Sequence, residues 1–127
     1  MFSGSIPALV TPFRDGAFDE SAFRKLVDWQ IEEGYSALVP CGTTGEASTL
    51  SNAEHHRVIE VCIEQAAGRV PVIVTTTHYG TRVCAERSRA AQDMGAAMVM
   101  VMPPYHGATF RVPEVQIYEF YARVSDA

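Results

Sequence analysis

At 127 residues the chain has room for one domain with a sizeable core, and it is about half the length of a complete eight-stranded α/β barrel. Its 47% hydrophobic and 20% charged residues exclude a disordered or collagen-like chain. A net charge of −5 leaves no basic footprint for nucleic acid or anionic lipid, so neither is an expected partner.

The first predicted element is a short apolar strand over residues 6–10, closed by Thr11-Pro12. Asp19 then reads as the N-cap of a helix to about Glu33. Phe23, Leu26, Val27 and Ile31 recur at helical spacing, and Gly34 supplies the stop. A second apolar run, 37–40, leads into Cys41-Gly42-Thr43-Thr44-Gly45-Glu46. Ser51-Asn52-Ala53-Glu54 is a capping box, because its serine and glutamate can each satisfy an amide at a helix start. The helix it opens carries Val58, Ile59, Cys62, Ile63 and Ala66 on one face and ends at Gly68.

Residues 70–74 form a β-branched third strand. Thr81 is placed as the cap of a third helix running to Met94 and stopped by Gly95. Residues 97–102 are the fourth strand. Pro113 opens a fourth helix at its first position, with Val115, Tyr118, Tyr121 and Val124 facing inward.

The strand-plus-helix unit thus repeats four times, with no linker or low-complexity stretch between copies, and residues 1–127 read as one (βα)4 domain with a parallel sheet. Uniformly apolar strands mean that both sheet faces are covered. Two arrangements meet that need: helices on both faces, as in a doubly wound small-ligand binder, or helices on one face and a partner on the other, as in half a barrel.

Gly42-Thr43-Thr44-Gly45 is the strongest local motif. Two glycines permit a turn of converging N–H groups, and two hydroxyls leave the same place, which suits a carboxylate or phosphate. A plain strand-to-helix turn fits the same residues. No lysine follows the second glycine, so this is not a nucleotide P-loop. After the fourth strand, Pro103-Pro104-Tyr105-His106 holds a tyrosine at the same end of the sheet, where a phenol can relay protons or simply pack.

Cys41, His78 and His106 gather there too, with no standard metal spacing, and no metal is expected. His55 and His56 lack a metalloprotease spacing and read as solvated. Cys41, Cys62 and Cys84 form no C-x-x-C pair, which fits reduced thiols in the cytoplasm. No basic stretch precedes residues 6–10, so a secretory signal is not expected, and no apolar run nears the roughly 18 residues of a membrane span.

With these motifs in place, the chain resembles the N-terminal half of the dihydrodipicolinate synthase / N-acetylneuraminate lyase family of pyruvate-dependent class I aldolases. The resemblance rests on the segment from Gly4-Ser5-Ile6-Pro7 to Thr11-Pro12-Phe13, on Gly42-Thr43-Thr44-Gly45-Glu46, and on Leu50-Ser51 with Glu54-His55. Residues after about 70 look closer to keto-deoxy sugar acid dehydratases of the same superfamily, and a join between branches near 69–74 would explain that difference.

The resemblance implies a (βα)4 half of a TIM barrel. In it Gly42, Thr44 and Gly45 would hold the carboxylate of pyruvate or another 2-oxo acid, Thr43 would relay a proton, and Tyr105 would be a relay tyrosine reaching a neighbouring subunit. It implies no cofactor. It also places the Schiff-base lysine on a sixth strand beyond Ala127. The one lysine present, Lys25, reads as a solvated helix residue weakly paired with Asp28. Two functions follow as expectations. One is the half-barrel chain of a lyase, inactive alone and completed by self-association as a homodimer or higher homo-oligomer. The other is a non-catalytic self-associating half-barrel scaffold, natural or engineered.

Overall fold

The structure, a computed structural model, describes residues 3–103 and 112–127. Four parallel segments lie side by side in chain order. Ala8 bridges Val39, Leu38 bridges Val72, and β3 (Ile73–Thr75) pairs with β4 (Met98–Met100). The first two segments make isolated bridges rather than full ladders. Pro7, Pro40 and Pro71 sit in or beside them and have no N–H to donate. Their carbonyls still serve: Val39 N–H donates to Pro7 O at 3.0 Å and Leu38 N–H to Pro71 O at 3.1 Å.

A hairpin pairs β1 (Phe13–Arg14) with β2 (Ala17–Phe18) through Asp15 and Gly16 at φ of 52° and 79°. An Asp-Gly turn with two positive φ values matches the right-handed twist of short strands, and that dipeptide was the available signal.

The helices follow their caps. Asp19 accepts a 2.9 Å bond from Ala22 N–H and starts α1 (Glu20–Glu32). Ser51 and Glu54 close the capping box of α2 (Asn52–Ala66). The start of α3 (Thr81–Asp93) differs from expectation, because Gly80 is the N-cap and no side chain caps it. Instead the Gly80 N–H donates to His78 Nδ1 at 2.9 Å. Likewise Pro113 is the N-cap of α4 (Glu114–Ser125), not its first helical residue.

The inward face of α4 also needs correction. Val115 and Tyr118 are 61% and 75% exposed and Tyr121 is 38% exposed, while Phe120 is buried. Residues 117, 120 and 124 form a second apolar row, and α4 turns that row inward as it packs on α3. Asp28 binds Arg69 at 2.5 Å and Gln65 at 2.6 Å rather than Lys25, since a short fork from α2's end reaches it first.

The sidedness of the sheet settles the arrangement. Leu9, Leu38, Val72 and Val74 share one core with Phe23 and Val27 of α1, Val58, Ile59 and Cys62 of α2, and Ala91 of α3. Side chains alternate along a strand, so the intervening residues face the other way. There Ala37, Val39 and Ile73 make a small cluster of their own. Its flanks are bare: Val10 is 50% exposed, Met98 49% and Met100 42%. Helices α1 to α3 thus cover a single face, which rules out the doubly wound form. The chain is a (βα)4 half-barrel with its would-be interior open.

Candidate functional site

The Gly42–Glu46 turn follows directly from the second strand segment. Cys41 enters it at φ 58° and Glu46 leaves it at φ 56°, so the chain reverses tightly on both sides. Thr11 Oγ1 donates to Gly45 O at 2.7 Å and ties the turn to the end of the first strand. Gly45 admits no side chain, because a Cβ there would lie 2.9 Å from Leu9 O and 3.2 Å from Cys41 N.

The N–H groups of Glu46 and Ala47 are spent inside the turn, on Thr43 O at 3.1 Å and Gly42 O at 3.3 Å. Those of Gly42, Thr43, Thr44 and Gly45 donate to no other described residue. Four consecutive amides without an acceptor, with two exposed threonines among them, have the chemistry of an anion nest.

A cleft of about 470 Å³ opens beside the turn at the C-terminal ends of the strands. Gly42 and Thr43 line it from the turn, Thr75, Thr77 and His78 from the end of β3, Asn52 from the start of α2, and Arg87 from α3. Thr44 and Gly45 belong to the turn without lining the cleft. Tyr105 and His106 fall outside the described residues. Lys25 is exposed on α1 and does not line the cleft.

His55 is the residue misread from sequence. It is 3% exposed, and its Nε2 lies 3.1 Å from Thr75 O. Burial, reinforced by the nearby Arg87 charge, pushes its pKa down to about 4, so the ring stays neutral. The overlooked signal was spacing, because His55 continues the stripe of Val58, Ile59 and Cys62 by one helical step. His56 is exposed, as expected.

Burial pushes the Cys41 and Cys62 thiols up to about 12, which leaves them protonated and poor nucleophiles or ligands. Among the described residues no group of three His, Cys, Asp or Glu side chains could hold a metal ion.

Arg87 is the half-buried cation of the site. Its Nη2 donates to Asn52 Oδ1 at 2.7 Å, and no carboxylate among the described residues pairs with it. Nothing in the composition singled this arginine out from the other eight.

Fold and site together define an α/β-barrel chain whose polar groups collect at the C-terminal ends of parallel strands, where barrel enzymes keep their sites. The chain belongs to the dihydrodipicolinate synthetase family, whose model matches residues 1–127. It is 62% identical over 126 residues to the 4-hydroxy-tetrahydrodipicolinate synthase of Erythrobacter litoralis (strain HTCC2594), covering 99% of this chain and 43% of that protein. It is 52% identical over 125 residues to the L-2-keto-3-deoxyarabonate dehydratase of Azospirillum brasilense, covering 98% of this chain and 40% of that one.

Among solved structures, the dihydrodipicolinate synthase of Acinetobacter baumannii, described as complexed with pyruvate, superposes with a TM-score of 0.93 at 40% identity. That match covers 100% of this chain and 43% of the other. The chain therefore spans less than half the length of the relatives it matches. Both sequence matches run across residues 69–74, so no join between branches is required there.

Proposed function

We propose that this chain supplies the carboxylate-binding half of a lyase acting on pyruvate or another 2-oxo acid. The observation that carries the reading is the run of unspent amides at Gly42–Gly45 beside the strand-end cleft. In this reading Thr44 and the neighbouring amides hold the substrate carboxylate, Thr43 relays a proton, and Tyr105 extends the relay towards a neighbouring subunit. The names of the Erythrobacter and Azospirillum relatives and the pyruvate complex of the Acinetobacter neighbour favour this chemistry.

Imine formation needs an amine that can lose its proton inside a pocket. Lys25 is solvated on α1, so these 127 residues alone are inactive and the amine comes from elsewhere. Three buried, reduced thiols accord with a cytoplasmic location. No helix among the described residues is long and apolar enough to cross a membrane. Titration with pyruvate, followed by backbone amide NMR, tests the cradle. The expected result is a saturable shift at Thr43, Thr44 and Gly45. Unmoved amides at tens of millimolar pyruvate contradict it.

A second reading, a self-associating scaffold, is favoured by the bare inner face with Val10, Met98 and Met100 exposed. Covering apolar area stabilises by about 25 cal/mol per Å², and open strand edges invite pairing. Both readings predict a homodimer or higher homo-oligomer in sedimentation at micromolar concentration. A well-folded monomer there removes self-association from either. Activity restored on mixing with a chain that carries the later strands selects the lyase half. Homodimers indifferent to that chain select the scaffold.

A further inference from the structure

Two helix flanks at opposite edges of the half-barrel carry exposed aromatic rings. On α1, Phe23, Val27 and Gln30 point into the core. Glu20, Arg24 and Asp28, further round the helix, are tied to Arg57, Glu64 and Arg69 at α2. At about 100° per residue, the side turned away from α2 is the row 22, 26, 29 and 33. Trp29 stands in that row 54% exposed, and its Nε1 donates to Glu33 Oε1 of the same row at 3.2 Å.

Helix α4 repeats the arrangement at the other edge. Its row 117, 120 and 124 faces inward, and on one side Arg89 of α3 donates to Ala127 O at 2.9 Å. The row turned away from α3 is 114, 118, 121 and 125, with the same spacing as the row on α1. Tyr118 and Tyr121 stand exposed in it, and Tyr121 Oη donates to Val101 O at 3.1 Å, beside the end of the fourth strand.

The strands beneath these flanks are open as well. Among the described residues the first strand segment bridges only the second, and β4 pairs only with β3. Val10 at one edge, with Met98 and Met100 at the other, carries the bare inner face out to both flanks. The edges also differ in charge. Exposed Lys25 borders the α1 row, and exposed Glu114 opens the α4 row. Both helices return from parallel strands and so run the same way, which places these opposite charges in the first two turns of each.

We propose that a second copy of this chain docks edge to edge, with the Trp29 flank of each copy on the Tyr118 and Tyr121 flank of the other. The inference rests on the self-association reading and adds where the copies meet. A contact between two different surfaces either closes into a ring or grows into a filament. Here it closes at two copies, because four strands joined to four make the eight of a closed barrel. The two seams are identical, and both Gly42–Gly45 turns open at one mouth, since all eight strands run parallel.

The test makes Glu33→Cys and Ser125→Cys in separate chains, at the matched last positions of the two rows, and leaves the aromatic rings in place. Each variant, alone and mixed with the other, is treated with a short bis-maleimide at micromolar concentration. Both positions are exposed, whereas Cys41, Cys62 and Cys84 are buried and stay unlabelled. Intact mass is expected to show a linked pair in the mixture alone, one chain of each kind, joined at 33 and 125. Tyr118→Glu is expected to weaken the native dimer by about tenfold or more in sedimentation, as a charge placed in a buried seam would. A dimer without the mixed link, links within either variant alone, or a Tyr118→Glu dimer as tight as the native one overturns the proposal and leaves self-association standing. So does a polymer that lengthens with concentration. Links formed only with a chain that carries the later strands give these flanks to that chain and overturn it too. A native monomer overturns the self-association reading, and the proposal with it.

Discussion

Replacing Phe23 by alanine is expected to cost about 3–5 kcal/mol, a large share of the 5–15 kcal/mol that holds a typical domain together. Phe23 is fully buried, meets the Phe18 ring edge-on at 5.5 Å between centroids, and shares one core with strand residues Leu9 and Leu38 and with α2. Shortening it leaves a cavity where the hairpin, the first helix and the sheet meet, and neighbours on three elements cannot collapse into it together. Urea denaturation at neutral pH checks the value. A loss below about 1 kcal/mol would mean that this junction is loosely packed, and that α1 does not seal the helix side of the sheet as described.

The second large effect is on acid stability. Burial holds His55 neutral in the folded chain with its pKa at about 4, whereas an unfolded histidine titrates near 6.5. Below pH 6.5 the unfolded chain takes up a proton that the folded chain refuses. Stability is therefore full above pH 6.5 and falls as pH drops towards 4, by about 3 kcal/mol in all.

Asp19, Glu20, Asp28 and Glu54 are held below their ordinary values by hydrogen bonds, chiefly from Ala22 N–H, Arg24, Arg69 and Ser51 respectively. Their contribution is present above their unfolded pKa values and fails as pH falls below about 4.5, so the window from 6.5 to 5 belongs to the histidine. Unfolding measured across that window should slope in the native chain and lie nearly flat in His55→Gln. Equal slopes in the two chains would show that His55 accepts its proton in place.

What could be read from sequence is what short-range chemistry decides. Asp19 and the Ser51–Glu54 box start their helices because each satisfies an amide two or three residues away, a relation visible in the string. Gly34 and Gly95 stop theirs at φ of 84° and 92°, as glycine allows. The Gly42–Gly45 turn is equally local, and it stands where its motif placed it.

The choice between a one-sided and a two-sided sheet was not legible. Val72 and Ile73 are both apolar, yet one joins the helix-side core and the other the open face, and only the packing of α1 to α3 separates them. Nor was the inward row of α4, where two apolar rows compete and α3 selects the one through Phe120. Arg87 escaped for the same reason, because its significance lies in the Asn52 side chain that meets it from α2, and no spacing along the chain encodes that. The burial of His55 was legible in the helical stripe it shares with Val58, Ile59 and Cys62, but its bond to Thr75 O, which crosses from β3, was not.

Under the proposed function these residues seat a 2-oxo acid without bonding to it covalently. Incubation with pyruvate and borohydride, followed by intact-mass measurement, examines it in one step, since reduction would trap any imine as a stable adduct. The mass is predicted to stay that of the unmodified chain. A gain of one reduced pyruvate, mapped by peptide analysis to Lys25, would contradict the account.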